Sequence, residues 1–221
     1  MIEYKKKEGD RVGKFVIFCA GGFDSLIEPL NKDDFLMAAD GGLVHLEKLN
    51  LIPNGILGDF DSLGYTPEGA KVFPVEKDDT DAMLAVRQGL KMGYKDFILY
   101  GSLDGDRLDH TVANFQTLQY LADHGARGVC VGNRYIAAVI KNETVTFPET
   151  ATGVVSVFCM GADAKGVSIT GTKYEADDIT LTAGFPLGVS NHFEGRQSRI
   201  AVQDGSLLLL YDRENGLPEI L

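Results

Sequence analysis

Tryptophan is missing from this 221-residue chain, cysteine occurs three times, and no apolar run approaches the ~20 residues that a membrane-spanning helix needs. Each shortage excludes something. Cys19, Cys130 and Cys159 lie far apart, each in or beside an apolar run. They form no metal-binding spacing and cannot all pair, so they read as buried free thiols of a reducing compartment. The lysines at Lys5-Lys6-Lys7 have no apolar segment behind them, so no signal peptide is read and a cytoplasmic protein is expected. Prolines number seven and the hydrophobic share is 44%, which excludes wholesale disorder. Basic residues are outnumbered, 21 against 32 acidic ones, for a formal net charge of −11. Such a surface repels polyanions, so neither nucleic acid nor an anionic membrane is an expected partner. No Walker A sequence and no G-x-G-x-x-G is present, so neither a P-loop nor a dinucleotide fingerprint is read.

What is there is alternation. Short apolar runs at Phe15–Cys19, Phe35–Ala39, Ile56–Leu57, Lys71–Val75, Asp96–Tyr100 and Gly128–Gly132 read as strands. Between them, Leu43/Leu46/Leu49, the segment from Ala82 to Leu90, and Val112/Phe115/Leu118/Leu121 give helical stripes, with Gly93 and Gly125 as stop signals. The helix after Lys77 reads with Asp78 as N-cap and Asp81 as its partner three residues on. This order predicts an α/β domain over 1–133, with a mostly parallel sheet and helices on both faces. After Asn133 the texture changes to closely spaced strands without amphipathic helices, predicting an all-β sandwich or barrel over 134–221. Lys141-Asn142-Glu143 and Asp204-Gly205 read as hairpin turns.

The chemistry gathers after the strands. In Gly58-Asp59-Phe60-Asp61-Ser62, two carboxylates flank one aromatic residue, so an extended backbone would aim both at one point. A divalent cation with a taste for oxygen, Mg²⁺, would relieve their repulsion; a plain turn with Asp and Ser as caps is the competing reading. Asp40 precedes two glycines, Gly41 and Gly42, which permit close backbone approach to a ligand or simply form a turn. Lys77 would neutralise a phosphate at the helix end beside Thr80 and Asp81. Arg107 and Asp109 stand at a helix entry, with His110 and Asn114 one turn apart behind them. In a parallel sheet, these residues and Gly21-Gly22 would converge along the carboxyl edge of the strands. In the second half, Gly188-Val189-Ser190-Asn191 and Gly171-Thr172-Lys173-Tyr174 read equally as pocket walls or turns.

Taken in order, Asp40-Gly41-Gly42, Gly58-Asp59-Phe60-Asp61-Ser62, Lys77 with Thr80-Asp81, Arg107-Leu108-Asp109-His110 with Asn114, and Gly188-Val189-Ser190-Asn191 resemble the thiamine pyrophosphokinase family. The resemblance spans about Gly21 to Asn191. It implies transfer of pyrophosphate from ATP to the hydroxyl of thiamine, yielding thiamine diphosphate and AMP, by a homodimer with its active site at the subunit interface. By the same resemblance Asp40, Asp59, Asp61 and Asp81 serve Mg²⁺–ATP, with Gly21, Gly22, Gly41, Ser62, Lys77, Thr80 and His110 around the nucleotide. Arg107, Asp109 and Asn114 stand at the reacting groups, and Tyr174, Ser190 and Asn191 hold thiamine. The family often has two glycines before this arginine; here Asp106 follows Gly105. Two other readings remain open: a different Mg²⁺-dependent kinase or phosphohydrolase of a small alcohol, and a nucleotide- or thiamine-binding module without turnover.

Overall fold

The structure, a computed structural model, describes residues 13–58, 71–73 and 79–220. These divide into two compact units, the first ending at Asn133 and the second starting at Arg134.

In the first unit the strands are β1 (Phe15–Phe18), β2 (Phe35–Ala39), β3 (Gly55–Leu57), β4 (Lys71–Phe73), β5 (Asp96–Tyr100) and β6 (Arg127–Val131). The helices are α1 (Leu43–Lys48), α2 (Asp81–Lys91) and α3 (Leu108–Asp123). The strands run in the order β6-β5-β1-β2-β3-β4, and each pairing is parallel. β1 is the pivot. The chain adds β2 to β4 on one side of it, then returns to lay β5 and β6 on the other. A reversal of strand order of this kind opens a crevice at the carboxyl ends of the strands flanking it, here β1 and β5.

The pivot strand is apolar throughout, as a strand covered on both faces must be: Phe15, Val16, Ile17 and Phe18 are fully buried. In register, Phe15 faces Phe35 on one side and Phe97 on the other, and its ring stacks on Phe35 at 4.9 Å. Helix α2 lies so close to this aromatic layer that a Cβ on Gly89 would stand 2.5 Å from the Phe97 ring and 2.8 Å from that of Phe15. Both long helices end as their glycines predict. Gly93 and Gly125 take positive φ, and the residue after each donates back to the last turn, Tyr94 to Gly89 and Ala126 to Leu121.

Two local readings are corrected. The N-cap of α2 is Thr80, whose hydroxyl accepts from the Met83 amide at 3.2 Å, and Asp81 is the first helical residue. An acidic run with a threonine in it offers several caps, and the register is decided by which side of the helix packs. In α3 Val112 is half exposed, and the inner face carries Asn114, Thr117, Leu118 and Leu121. The polar Asn114 replaces an apolar residue there because the loop before the helix needs its amide.

The second unit contains β7 (Tyr135–Lys141), β8 (Thr144–Phe147), β9 (Val154–Cys159), β10 (Ala164–Thr170), β11 (Ala176–Leu181), β12 (Gly188–His192), β13 (Ser198–Ala201), β14 (Ser206–Asp212) and β15 (Glu219–Ile220). It is β-rich, as expected. One sheet runs β12-β9-β14-β7 and the other β11-β10-β13-β8-β15, with antiparallel pairings. Phe147 of one sheet meets Tyr211 of the other edge-on at 5.0 Å. The expected hairpins are not hairpins. β7 pairs with β14, while β8 pairs with β13 and β15, so both turns carry the chain from one sheet to the other. A turn signal between two apolar runs marks a change of direction and leaves the partner unspecified. The two crossings clasp each other: the Asn142 amide donates to the Gly205 carbonyl at 3.1 Å, and the Gly205 amide to Asn142 Oδ1 at 2.9 Å.

Replacing Gly89 with alanine improves helix propensity by up to ~1 kcal/mol yet forces two buried rings aside, which costs about 1–3 kcal/mol. Gly89→Ala should therefore lower stability in urea unfolding; an increase would show that α2 is free to lift off the sheet.

Candidate functional site

A cavity of about 260 Å³ lies at the crevice the strand order creates. Four chain segments of the first unit wall it. Cys19, Ala20 and Gly21 follow β1; Ala39 and Asp40 end β2; Thr80, Asp81 and Ala82 open α2. The fourth runs from the loop after β5 (Gly101, Ser102, Gly105, Asp106) into the start of α3 (Arg107, His110, Thr111, Asn114).

The walls are built backbone against backbone. The Gly21 amide donates to the Gly101 carbonyl at 2.9 Å. A Cβ on Gly21 would stand 2.5 Å from that carbonyl oxygen, and Gly101 has φ +63°. Only glycine fits such an approach at either place. The Gly22 amide donates to the Asp104 carbonyl at 2.9 Å, and Asp104 Oδ2 accepts from the Asn133 amide at 2.5 Å. Inside the loop, Ser102 Oγ donates to the Leu99 carbonyl, and buried Asn114 donates through Nδ2 to the Ser102 carbonyl, each at 2.7 Å. Asn114 thus braces the loop whose residues share the wall with it.

Asp40 is exposed at the end of β2 with φ +50°, a left-handed conformation that aspartate tolerates better than most residues. Asp81 is half-buried in the first turn of α2. Two helix N-termini, those of α2 and α3, contribute their first turns to the wall, and such ends present free amide donors to anions. Arg107 makes a two-pronged ion pair with Asp109, Nε to Oδ1 at 3.2 Å and Nη2 to Oδ2 at 2.5 Å, out in solvent. The hydrogen bonds with Arg107 hold the Asp109 carboxyl below the usual carboxylate range and raise the guanidinium in turn. At the cavity wall, burial pushes the Cys19 thiol well up, with Cys130 and Asp81 adding to the shift, so Cys19 stays protonated and is no nucleophile.

Of the residues singled out from the sequence, Gly21, Asp40, Thr80, Asp81, Arg107, His110 and Asn114 meet at this one cavity. Gly22, Gly41 and Asp109 are outside its wall but next in the chain to, or bonded to, residues within it. Asp59, Asp61, Ser62 and Lys77 lie outside the described residues. Among the described residues no three His, Cys, Asp or Glu side chains assemble as a metal centre. Asp40 and Asp81 nevertheless bring two carboxylates to one cavity, the hard oxygen donors that Mg²⁺ takes.

In the second unit, Gly188 to Asn191 belong to strand β12 rather than to a turn. Asn191 is buried: its Oδ1 accepts from the Tyr174 and His192 amides at 2.9 Å, and its Nδ2 donates to Thr172 Oγ1 at 3.0 Å and the Tyr174 carbonyl at 2.8 Å. Ser190 is exposed with φ +59°, and Tyr174 is 60% exposed with the Lys173 ammonium 5.4 Å from its ring centre. Sequence reading missed His45, Ser102 and Asp104. For His45 a signal existed, a polar ring set between Leu43 and Leu46 in the apolar stripe of α1. Ser102 and Asp104 act through backbone partners that no spacing reveals.

Comparison with known proteins gives a consistent result. The model of the thiamin pyrophosphokinase catalytic domain matches residues 26–130, and that of the thiamin pyrophosphokinase vitamin B1 binding domain matches residues 142–207. Thiamine pyrophosphokinase of Bacillus subtilis (strain 168) is 25% identical, over 89% of this chain and 98% of that protein. Among solved structures, thiamine pyrophosphokinase from Bacillus subtilis superposes with a TM-score of 0.80 at 21% identity, covering 90% of this chain and 98% of that one. The Geobacillus thermodenitrificans enzyme gives 0.76 at 22% identity (90% and 97% covered), and yeast thiamin pyrophosphokinase 0.70 at 15% (96% and 89%). These structural likenesses establish the fold, while the two domain models together cover most of the chain. The chain belongs to the thiamin pyrophosphokinase family, the enzymes that transfer pyrophosphate from ATP to thiamine.

Proposed function

We propose that the cavity at the β1/β5 crevice receives the triphosphate of ATP, and that thiamine is brought to it with its hydroxyl in line with the β-phosphorus. The observation that carries this reading is the convergence of Asp40, Asp81 and Arg107, from three separate segments, on one cavity walled by two helix N-termini. In this reading residues 1–133 form the nucleotide-binding catalytic domain, with helices on both faces of its parallel sheet. Residues 134–221 form the thiamine-binding and dimerisation domain.

Asp40 and Asp81, together with Asp59 and Asp61, would hold Mg²⁺. When bound, it supplies charge neutralisation on the phosphate oxygens, which a chain of net charge −11 otherwise lacks. Arg107 adds positive charge beside the transferring group, and Lys77 serves the same end. Gly21, Gly22 and Gly41 let the backbone approach the phosphates, while Ser62, Thr80, His110 and Asn114 line or brace the nucleotide site. Asp109 orients Arg107: its carboxylate is already engaged on both oxygens and its proton affinity is low, a poor setting for a base. Asn191, with both ends of its amide occupied, fixes the Tyr174 turn, and Tyr174 with Ser190 offers thiamine an aromatic face and a hydroxyl. Phe185, Leu187 and Val189, exposed by 43–64%, form the apolar surface of a homodimer contact, with thiamine bound at the subunit interface. A cytoplasmic location agrees with the free thiols.

Incubated with ATP, Mg²⁺ and thiamine, the protein should form AMP only when thiamine is present, with a thiamine product heavier by two phosphoryl groups in mass spectrometry. ADP, or thiamine-independent release, would point to a different kinase or phosphohydrolase. Asp81→Asn should lower kcat/KM by about 10²-fold or more with unfolding unchanged, since it removes one of the carboxylates that would hold Mg²⁺.

Asp109→Asn separates two roles. Loss of a general base costs about 10²–10⁴-fold in rate, whereas a loosened Arg107 should cost about tenfold. The smaller loss is expected, and the larger one in steady-state kcat would make Asp109 the proton acceptor.

A further inference from the structure

His45 sits on α1, beneath the loop that follows β1, and is 8% exposed. Its Nε2 lies 2.8 Å from the Gly21 carbonyl oxygen. A carbonyl only accepts, so Nε2 must carry the hydrogen. Nδ1 is buried without a hydrogen-bond partner among the described residues, which suits a bare lone pair far better than a second N–H. The ring is therefore a neutral imidazole of one tautomer. Burial, with the nearby Lys48 charge, favours the same state by pushing the ring's proton affinity down, against the pull of the Gly21 and Cys19 backbone. The Phe23 ring packs against it at 5.2 Å and limits its rotation.

The Gly21 residue is thus gripped at both ends, its N–H by the Gly101 carbonyl and its C=O by His45. Gly21 is a wall residue of the cavity, and glycine has the least intrinsic preference for any one backbone conformation. A glycine wall needs an outside group to hold its peptide planes, and Asp104 does this for the next amide, that of Gly22. We propose that His45 is a positioning residue for nucleotide binding, whose Nε2–H fixes the Gly21 peptide in the orientation the phosphates meet. This rests on the assignment of the triphosphate to the cavity. A histidine serving only to fill the core would need volume and no donor.

His45→Phe keeps a ring against Phe23 and deletes the donor; His45→Gln keeps a donor at similar reach. We expect His45→Phe to raise KM for ATP by about tenfold with kcat and the KM for thiamine changed far less, and His45→Gln to recover most of that loss. Unaltered KM for ATP in His45→Phe, or equal losses in both variants, overturns the proposal. Asp81→Asn is assayed alongside: if it loses activity while His45→Phe binds ATP normally, the positioning role fails and the nucleotide site stands. If Asp81→Asn retains full activity, the site assignment itself falls, and the positioning role with it. Should His45→Phe not fold, long-range ¹H–¹⁵N spectra of the unmodified protein decide: Nε2 protonated and Nδ1 bare supports the role, and the opposite tautomer or an imidazolium at neutral pH overturns it.

Discussion

Everything at the site depends on how closely two backbones meet. The loops after β1 and β5 touch through Gly21 and Gly101 with no side chain between them, and the crevice exists because these strands are neighbours whose chains then lead away to opposite sides. A side chain on either glycine would drive the loops apart and carry the Arg107 segment away from the β2 and α2 residues opposite. The cavity is therefore a by-product of a packing constraint at the pivot of the sheet. The aromatic layer around Phe15 anchors that pivot from below.

Electrostatics supplies the second organising term. A chain of net charge −11 that uses ATP must place positive groups where the phosphates bind. Arg107 at a helix start, with the amide ends of α2 and α3 beside it, is among the described residues the one cationic side chain on a wall that also carries Asp40, Asp81 and Asp106. Its partner Asp109 keeps the guanidinium directed without occupying the cavity.

The alternation of apolar runs and helical stripes was enough to read the first unit's strands and helices, because buried parallel strands leave continuous hydrophobic stretches. Gly93 and Gly125 were legible as helix ends for the same reason that they are glycines, a left-handed turn. Asp40, Asp81, Arg107, His110 and Asn114 were legible as a group because polar residues following successive parallel strands share one edge. Partner choice in the second unit was not: the turns at Asn142 and Gly205 have hairpin chemistry but join different sheets, a tertiary decision made by which face each strand buries. His45 was marked only by its place between Leu43 and Leu46, and a six-residue helix gives no second turn of pattern to show that the ring faces inward. Asn191 read equally as pocket wall or turn, because no spacing reveals that its amide bonds to Thr172, Tyr174 and His192 of its own chain.

The pivot position of β1 also bears on synthesis. During elongation β2 can dock beside it after about twenty residues, yet the other edge of β1 waits for β5, and the register Phe15 to Phe97 closes a segment of more than eighty residues. A fully apolar strand thus spends most of the first unit's translation with one row of amides and carbonyls unpaired, open to any other extended chain nearby. The geometry that creates the crevice leaves the nascent polypeptide most vulnerable to mispairing just before the crevice exists.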